Sequence, residues 1–224
     1  MKRVGIVAAM TEEMRGIFKE MGQSKTETRG NRIVYIYQLN DKTIYIIKSG
    51  VGEIAAASAV QFLYDIYEVE CILNFGVVGA LHSGLKVAEV VVVDKVAHYD
   101  FDTSPFDHCI RGRYLNYESV YLPTSKVLSE KIACKCGLKL VTCASGDKFI
   151  VNSDIKAQLT KEFNADICEM EAAGIVLTAD INNLPVLMIK AISDSEGGAI
   201  EFSIMLEKAV EKFSSIIRVT LEAI

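Results

Sequence analysis

Three apolar runs in this 224-residue chain end in carboxylate. VGIVAAM, from Val4, is followed by Glu12 and Glu13. ADICEM, from Ala165, carries Glu169 and leads into Glu171. VLMIKAIS closes on Asp194. Charged side chains are seldom buried unless paired or hydrogen-bonded. An acid at the end of a strand can also simply begin a helix, where the dipole favours it. For Glu12 or Glu13 alone the two readings are balanced, and the coincidence of three strands favours working carboxylates. Such a set suits acid–base hydrolysis of a small polar molecule. Strand alternation would place Glu169 and Glu171 on one face with Met170 on the other, whereas a helix starting at Glu171 would part them.

Three glycine-rich turns follow strand-like runs: SGVGEIAAA from Ser49, NFGVVGAL from Asn74 and CASGDKF from Cys143. Glycine lets the backbone approach a ligand closely. The first turn matches the Gly-x-Gly-x-x-Ala form of a dinucleotide fingerprint, but it follows a hairpin rather than opening an initial βαβ unit. Other chemistries lack their residues. No Gly-x-Ser-x-Gly elbow occurs, and His82, His98 and His108 have no evident nucleophile. The six cysteines include Cys134-x-Cys136, which is not a usual metal or redox spacing. They read as reduced and mostly buried, and no cofactor or metal is expected.

The elements that must position these residues alternate along the chain. Strand-like runs begin at Arg3, Ile33, Thr43, Cys71, Glu89, Leu138, Ala165 and Pro185. Several are continuously apolar, as in strands covered on both faces. Helical spacing appears in TEEMRGIFKEM, EIAAASAVQFLYDIY, TSKVLSEKIACKC, SDIKAQLTKEF, EAAGIVLTADI and the long C-terminal segment from Glu201. Gln38 to Lys42 read as a hairpin turn. The pattern predicts an α/β, three-layer αβα sandwich with a mixed, mostly parallel central sheet, its ligand beyond the carboxyl ends of the strands. Half the residues are hydrophobic and no linker composition appears, so residues 1–224 are expected to form one domain. The net charge is −5 with no basic stripe, which argues against nucleic-acid binding. No apolar run approaches membrane-span length, and acids follow the first apolar run at once, unlike a signal peptide. A soluble cytoplasmic protein is expected.

Taken together and in order, VGIVAAMTEEM, IIKSGVGEIAAA, NFGVVGAL, SGDKFI, CEMEAAGI and KAISD resemble the 5'-methylthioadenosine/S-adenosylhomocysteine nucleosidases of the purine nucleoside phosphorylase-like superfamily. The likeness implies a nucleoside phosphorylase/hydrolase-like fold and hydrolysis of the N-glycosidic bond between adenine and a 5'-thio-substituted ribose, with no cofactor. By the same resemblance, Asp194 is the general acid that protonates adenine N7, held by Ser193, and Glu13 orients and deprotonates the attacking water. Glu171 binds the ribose hydroxyls with Met170 beneath the sugar. Phe149 stacks on adenine and the main chain of Ile150 reads its edge. Met10 and Val51 line the ribose and alkylthio wall. Phe106 is lent to a neighbouring subunit's site, implying a homodimer, and Phe202 covers the adenine. Glu169 supports the site from behind or meets the ribose through its backbone.

Two positions depart from the family pattern. Val77 stands where many members carry a small hydroxyl residue, and Lys190 replaces a common Arg. A phosphate-dependent nucleoside phosphorylase is the main rival. It would carry arginines where this chain has Met10 to Glu13 and Asn74, and acids there repel phosphate. A futalosine-type hydrolase is a nearer rival, and a non-enzymatic purine-binding protein is disfavoured by Glu13 and Asp194.

Overall fold

A computed structural model describes residues 1–194, 208, 211 and 216–224. Strand β1 (Arg3–Ala8) is buried along almost its whole length because it runs between two parallel neighbours, β4 (Lys42–Lys48) and β5 (Cys71–Ala80). Val4 pairs with Ile44 on one side and Cys71 on the other. β3 (Arg32–Leu39) returns into β4 as the expected hairpin, with Asn40 in the left-handed region at φ 55°. Outside it lies β2 (Lys25–Arg29), which the hydrophobic pattern did not reveal. All five of its residues are exposed, so it carries no apolar alternation.

β5 organises the rest. Its first half pairs with β1, and its end pairs antiparallel with β9 (Ile167–Glu169) through Gly79 and Ala80. Along the other edge runs β10 (Val186–Asp194), parallel to it. β10 pairs antiparallel with β6 (Val90–His98), β6 parallel with β8 (Lys139–Ser145), and β8 with β9. The pairings therefore return to β5 and close a five-stranded ring, from which β1, β4, β3 and β2 extend as an open wing. The α/β class with a mixed sheet is as expected, but the central layer is curled into a closed ring at one end. The short β7 (Tyr121–Pro123), paired to β6, was also unforeseen.

Helices cover both faces. α2 (Glu53–Tyr67) and α6 (Ala172–Ile181) pack on each other and share one apolar core with the sheet. α1 (Thr11–Met21), α4 (Lys126–Cys136) and the C-terminal helical residues 216–223 bury Ile17, Ile132, Ile217 and Leu221 in a second core. α5 (Ser153–Phe163), capped by the Asn152 side chain, contributes Leu159 and Phe163 to a third cluster. One turn of helix, α3 (Ser104–Asp107), carries Phe106 on the surface. Cys71, Cys143 and Cys168 are buried and form no disulfide, while Cys134 is exposed. Among the described residues no helix is long and apolar enough to cross a membrane.

Candidate active site

The carboxyl ends of β1, β5, β9 and β10 meet at one cavity of about 250 Å³. Met10 and Glu13 reach it from the β1–α1 junction, Val51 from the turn before α2, and Val77, Val78 and Gly79 from β5. Phe149 and Ile150 come from the loop after β8, and Glu169, Met170 and Glu171 from the β9–α6 junction. Ser193 comes from β10. Ten of the residues singled out from sequence thus line a single space.

Glu13 is 3 % exposed yet well partnered. Its Oε2 accepts from the main-chain N–H groups of Ala9 and Met10, both at 2.9 Å, and its Oε1 from that of Val77 at 3.0 Å. Burial pushes its pKa up, and Lys190 and these three amides oppose that push. Among the described residues it meets three donors and no acceptor, which suits the ionised form. Val77 therefore contributes to the site through its backbone, which any side chain there would leave in place. Gly76 is needed for the same reason: a Cβ there would lie 2.9 Å from Glu13 Oε1 and 3.3 Å from Lys190 Nζ.

Glu169 and Glu171 part company. β9 ends at Glu169, and Glu171 is the residue preceding the first turn of α6. Glu169 accepts the N–H groups of Glu171 and Ala172 at 3.0–3.1 Å and pairs with Lys190 Nζ at 3.1 Å. Burial alone would raise the Glu169 pKa, but Lys190, a hydrogen bond with Ser145 and that from Ala172 outweigh it and hold it low. Lys190 is 1 % exposed. Burial disfavours its charge, and Glu169 and Glu171 overcome that and keep it protonated. Among the described residues Glu171 has no such partner at bonding distance. Its Oε1 accepts from Gly52 N at 2.9 Å, and burial, reinforced by Glu169, pushes its pKa up to about 7. The two glutamates thus differ by environment: one is locked in an ion pair with Lys190, and the other is held by a main-chain amide at the same cavity.

At the end of β10, Ser193 Oγ donates to the Val78 carbonyl at 3.2 Å. The pairing with β5 shifts register between Ile192 and Asp194, so Asp194 comes opposite Gly79, which lines the cavity. Such a bulge re-aims the strand end. The Asp194 side chain and all of Phe202 lie outside the described residues. Phe106 is 88 % exposed on α3 and does not line this chain's cavity. Among the described residues no cluster of His, Cys, Asp and Glu side chains is placed to hold a metal ion.

Sequence reasoning missed a second layer. Glu53, the first residue of α2, accepts from Ser145 Oγ at 2.6 Å and from Gly174 N, and burial, with Glu169 nearby, pushes its pKa up to about 8. Asp147 takes the Glu53 N–H at 2.8 Å. In sequence Glu53 reads as an ordinary acid at a helix start, and nothing local couples it to Gly174.

A curled mixed sheet with carboxylates gathered at its strand ends defines a class, and residues 3–222 match the model of the phosphorylase superfamily. The chain is 31% identical to the 5'-methylthioadenosine/S-adenosylhomocysteine nucleosidase of Haemophilus influenzae (strain 86-028NP), over 96% of each. Among solved structures it is similar to the Helicobacter pylori 5'-methylthioadenosine/S-adenosylhomocysteine nucleosidase with butyl-thio-DADMe-Immucillin-A, with a TM-score of 0.92 and 26% identity, covering 100% of this chain and 99% of that one. It also resembles the futalosine hydrolase of Helicobacter pylori strain 26695, with a TM-score of 0.92 and 25% identity over 100% and 98% of the two chains. This chain belongs to the phosphorylase superfamily and, within it, to the 5'-methylthioadenosine/S-adenosylhomocysteine nucleosidase family.

Proposed function

We propose that this chain, as one nucleosidase domain, hydrolyses the N-glycosidic bond of 5'-methylthioadenosine and S-adenosylhomocysteine, releasing adenine and the 5'-thioribose. The observation that carries the reading is Glu13. A buried carboxylate, fixed by three main-chain amides, opens onto the same cavity as Glu171 and Phe149. That arrangement supplies a base for water and repels a phosphate nucleophile.

In this reading Glu13 takes a proton from water as its oxygen bonds to the anomeric carbon. The C–N bond breaks, and Asp194 gives its proton to adenine N7, so the base leaves neutral. Positive charge developing on the ribose is stabilised by the surrounding carboxylates. Glu171 accepts from the ribose hydroxyls and Met170 packs beneath the sugar. Phe149 stacks on adenine, with the Ile150 main chain at its edge. Met10 and Val51 wall the 5'-thio group. Ser193 orients Asp194, Phe202 covers the base, and Glu169 acts from behind by orienting Glu171 through its N–H. Val77 lends its amide to Glu13.

Purified protein is expected to release adenine from methylthioadenosine without added phosphate. A requirement for phosphate, with ribose-1-phosphate as product, would refute hydrolysis. The futalosine hydrolase likeness supports a second reading with the same chemistry on another 5'-group. Cleavage of futalosine in preference to methylthioadenosine would select it.

The exposed Phe106, with Val51, Ile54 and Phe149 also exposed, supports a homodimer in which Phe106 completes the partner's site. Sedimentation at micromolar concentration is expected to show a dimer, and a monomer that is fully active would remove Phe106 from the site.

A further inference from the structure

The first turn of α6 is held by side chains from elsewhere. Glu169 takes the Ala172 N–H at 3.0 Å, Ser145 Oγ takes that of Ala173 at 3.0 Å, and Glu53 Oε2 takes that of Gly174. Ser145 Oγ, which accepts from Ala173, also hydrogen-bonds Glu53 Oε1 at 2.6 Å and stands against Glu169 as well. Glu53 thus bonds to two groups at the head of α6, one directly and one through Ser145. The contact is close enough that Gly174 admits no side chain. A Cβ there would run into the Glu53 carbonyl and lie 2.9 Å from its Oε2.

The same short stretch of α2 reaches the site. Gly52 N, one residue before Glu53, donates to Glu171 Oε1 at 2.9 Å. The Glu53 N–H is held by Asp147, which stands two residues before Phe149. Glu53 therefore ties the heads of α2 and α6 and the loop after β8 to one another, and Glu171 is the residue on which the first two converge.

We infer that Glu53 is a positioning residue for the proposed nucleosidase reaction: its carboxyl group, bridging Ser145 and Gly174, clamps α6 to α2 and so holds Glu171 where it grips the ribose hydroxyls. What Glu171 grips rests on the proposed function, whereas the clamp rests on the hydrogen bonds alone. An alanine would leave the buried Gly174 N–H and Ser145 hydroxyl without this partner. A glutamine keeps an acceptor for Gly174 and an amide donor for Ser145.

The test compares Glu53→Ala and Glu53→Gln, alone and combined with Glu171→Gln. Loss of a buried hydrogen bond corresponds to roughly a tenfold change in binding. Glu53→Ala is expected to raise KM for methylthioadenosine about tenfold while kcat changes less than about threefold, and Glu53→Gln to stay within about threefold of the parent in both. In the Glu171→Gln background Glu53→Ala should add no more than about twofold, because the group it acts through is gone. Amide hydrogen exchange over residues 171–176, read without substrate, should accelerate in Glu53→Ala and not in Glu53→Gln. An equal KM effect in both backgrounds, or exchange and KM both at parental values in Glu53→Ala, would overturn the inference. A parent enzyme that releases no adenine would instead refute the proposed function, and the exchange comparison would still decide the clamp. If Glu53→Ala does not fold, Ser145→Ala removes one arm of the clamp and is expected to show a smaller rise in KM, about threefold, that likewise vanishes with Glu171→Gln. A Ser145→Ala enzyme with parental KM and exchange would overturn the inference in that case.

Discussion

Glu13 and Lys190 show how much a neighbouring group decides what a carboxylate does. Glu13, Glu169 and Glu171 are chemically identical and all buried, yet only Glu169 is paired at bonding distance with the ammonium. Glu13 is shared among three amides, which fix its position without supplying a proton. Glu13→Gln is therefore expected to bind substrate but to lose about 10²–10⁴-fold in kcat, the usual contribution of a positioned base. Asp194→Asn should behave in the same way, since in the proposed reaction the acid acts only as the bond breaks. A stopped assay for adenine, set beside the Kd for a non-hydrolysed analogue, separates the two effects. Undiminished kcat in either variant would reassign that residue. In the parent, burial holds the Glu13 pKa above the ordinary carboxylate range, so the acid limb of kcat/KM should lie above about pH 4.3.

The elements carry their own constraint. β5 must pass directly behind Glu13, and it manages this only because position 76 has no side chain. Gly76→Ala would press a methyl between Glu13 Oε1 and Lys190 Nζ. The atoms it meets are side-chain tips rather than backbone, so the fold should survive while the carboxylate is displaced from its amides. The expected result is a Tm within a few degrees of the parent and a kcat lower by about 10²-fold, as small misplacements of catalytic groups cost. Calorimetry alongside the adenine assay checks it. A variant as active as the parent would show that Glu13 tolerates displacement.

Across the molecule, the buried acids leave a mark on stability. Glu171, with its pKa near 7, and Glu53, near 8, bind protons more tightly folded than unfolded, where a Glu titrates at about 4.3. Their contribution is complete below about pH 4.3 and is lost as pH rises through the folded values. Glu169 works in the opposite sense, but its change falls below its ordinary pKa. Ligand-free Tm is thus expected to fall between pH 5 and pH 8, and Glu53→Gln, which cannot ionise, should flatten that slope. A Tm that rose over this range, or a variant slope identical to the parent's, would refute the assignment.

Much of this was legible in the chain because it depends on local chemistry. The continuously apolar runs declared buried strands, and acids at the ends of three of them marked one end of the sheet. The ordered motifs from VGIVAAM to KAISD carried the family likeness. What local pattern does not encode is pairing between distant segments. β2 is fully exposed and so left no periodicity to read. The closure of the sheet through β9 depends on β5 exchanging one neighbour for another halfway along its length. Strand alternation leaves open whether Glu169 and Glu171 share a face, and folding parts them by giving Lys190 to one and Gly52 to the other. Residue types and their order determined which acids the chain can offer and that they fall at strand ends. Their protonation and their partners were settled by folding, because both depend on burial and on charges brought together from far along the chain.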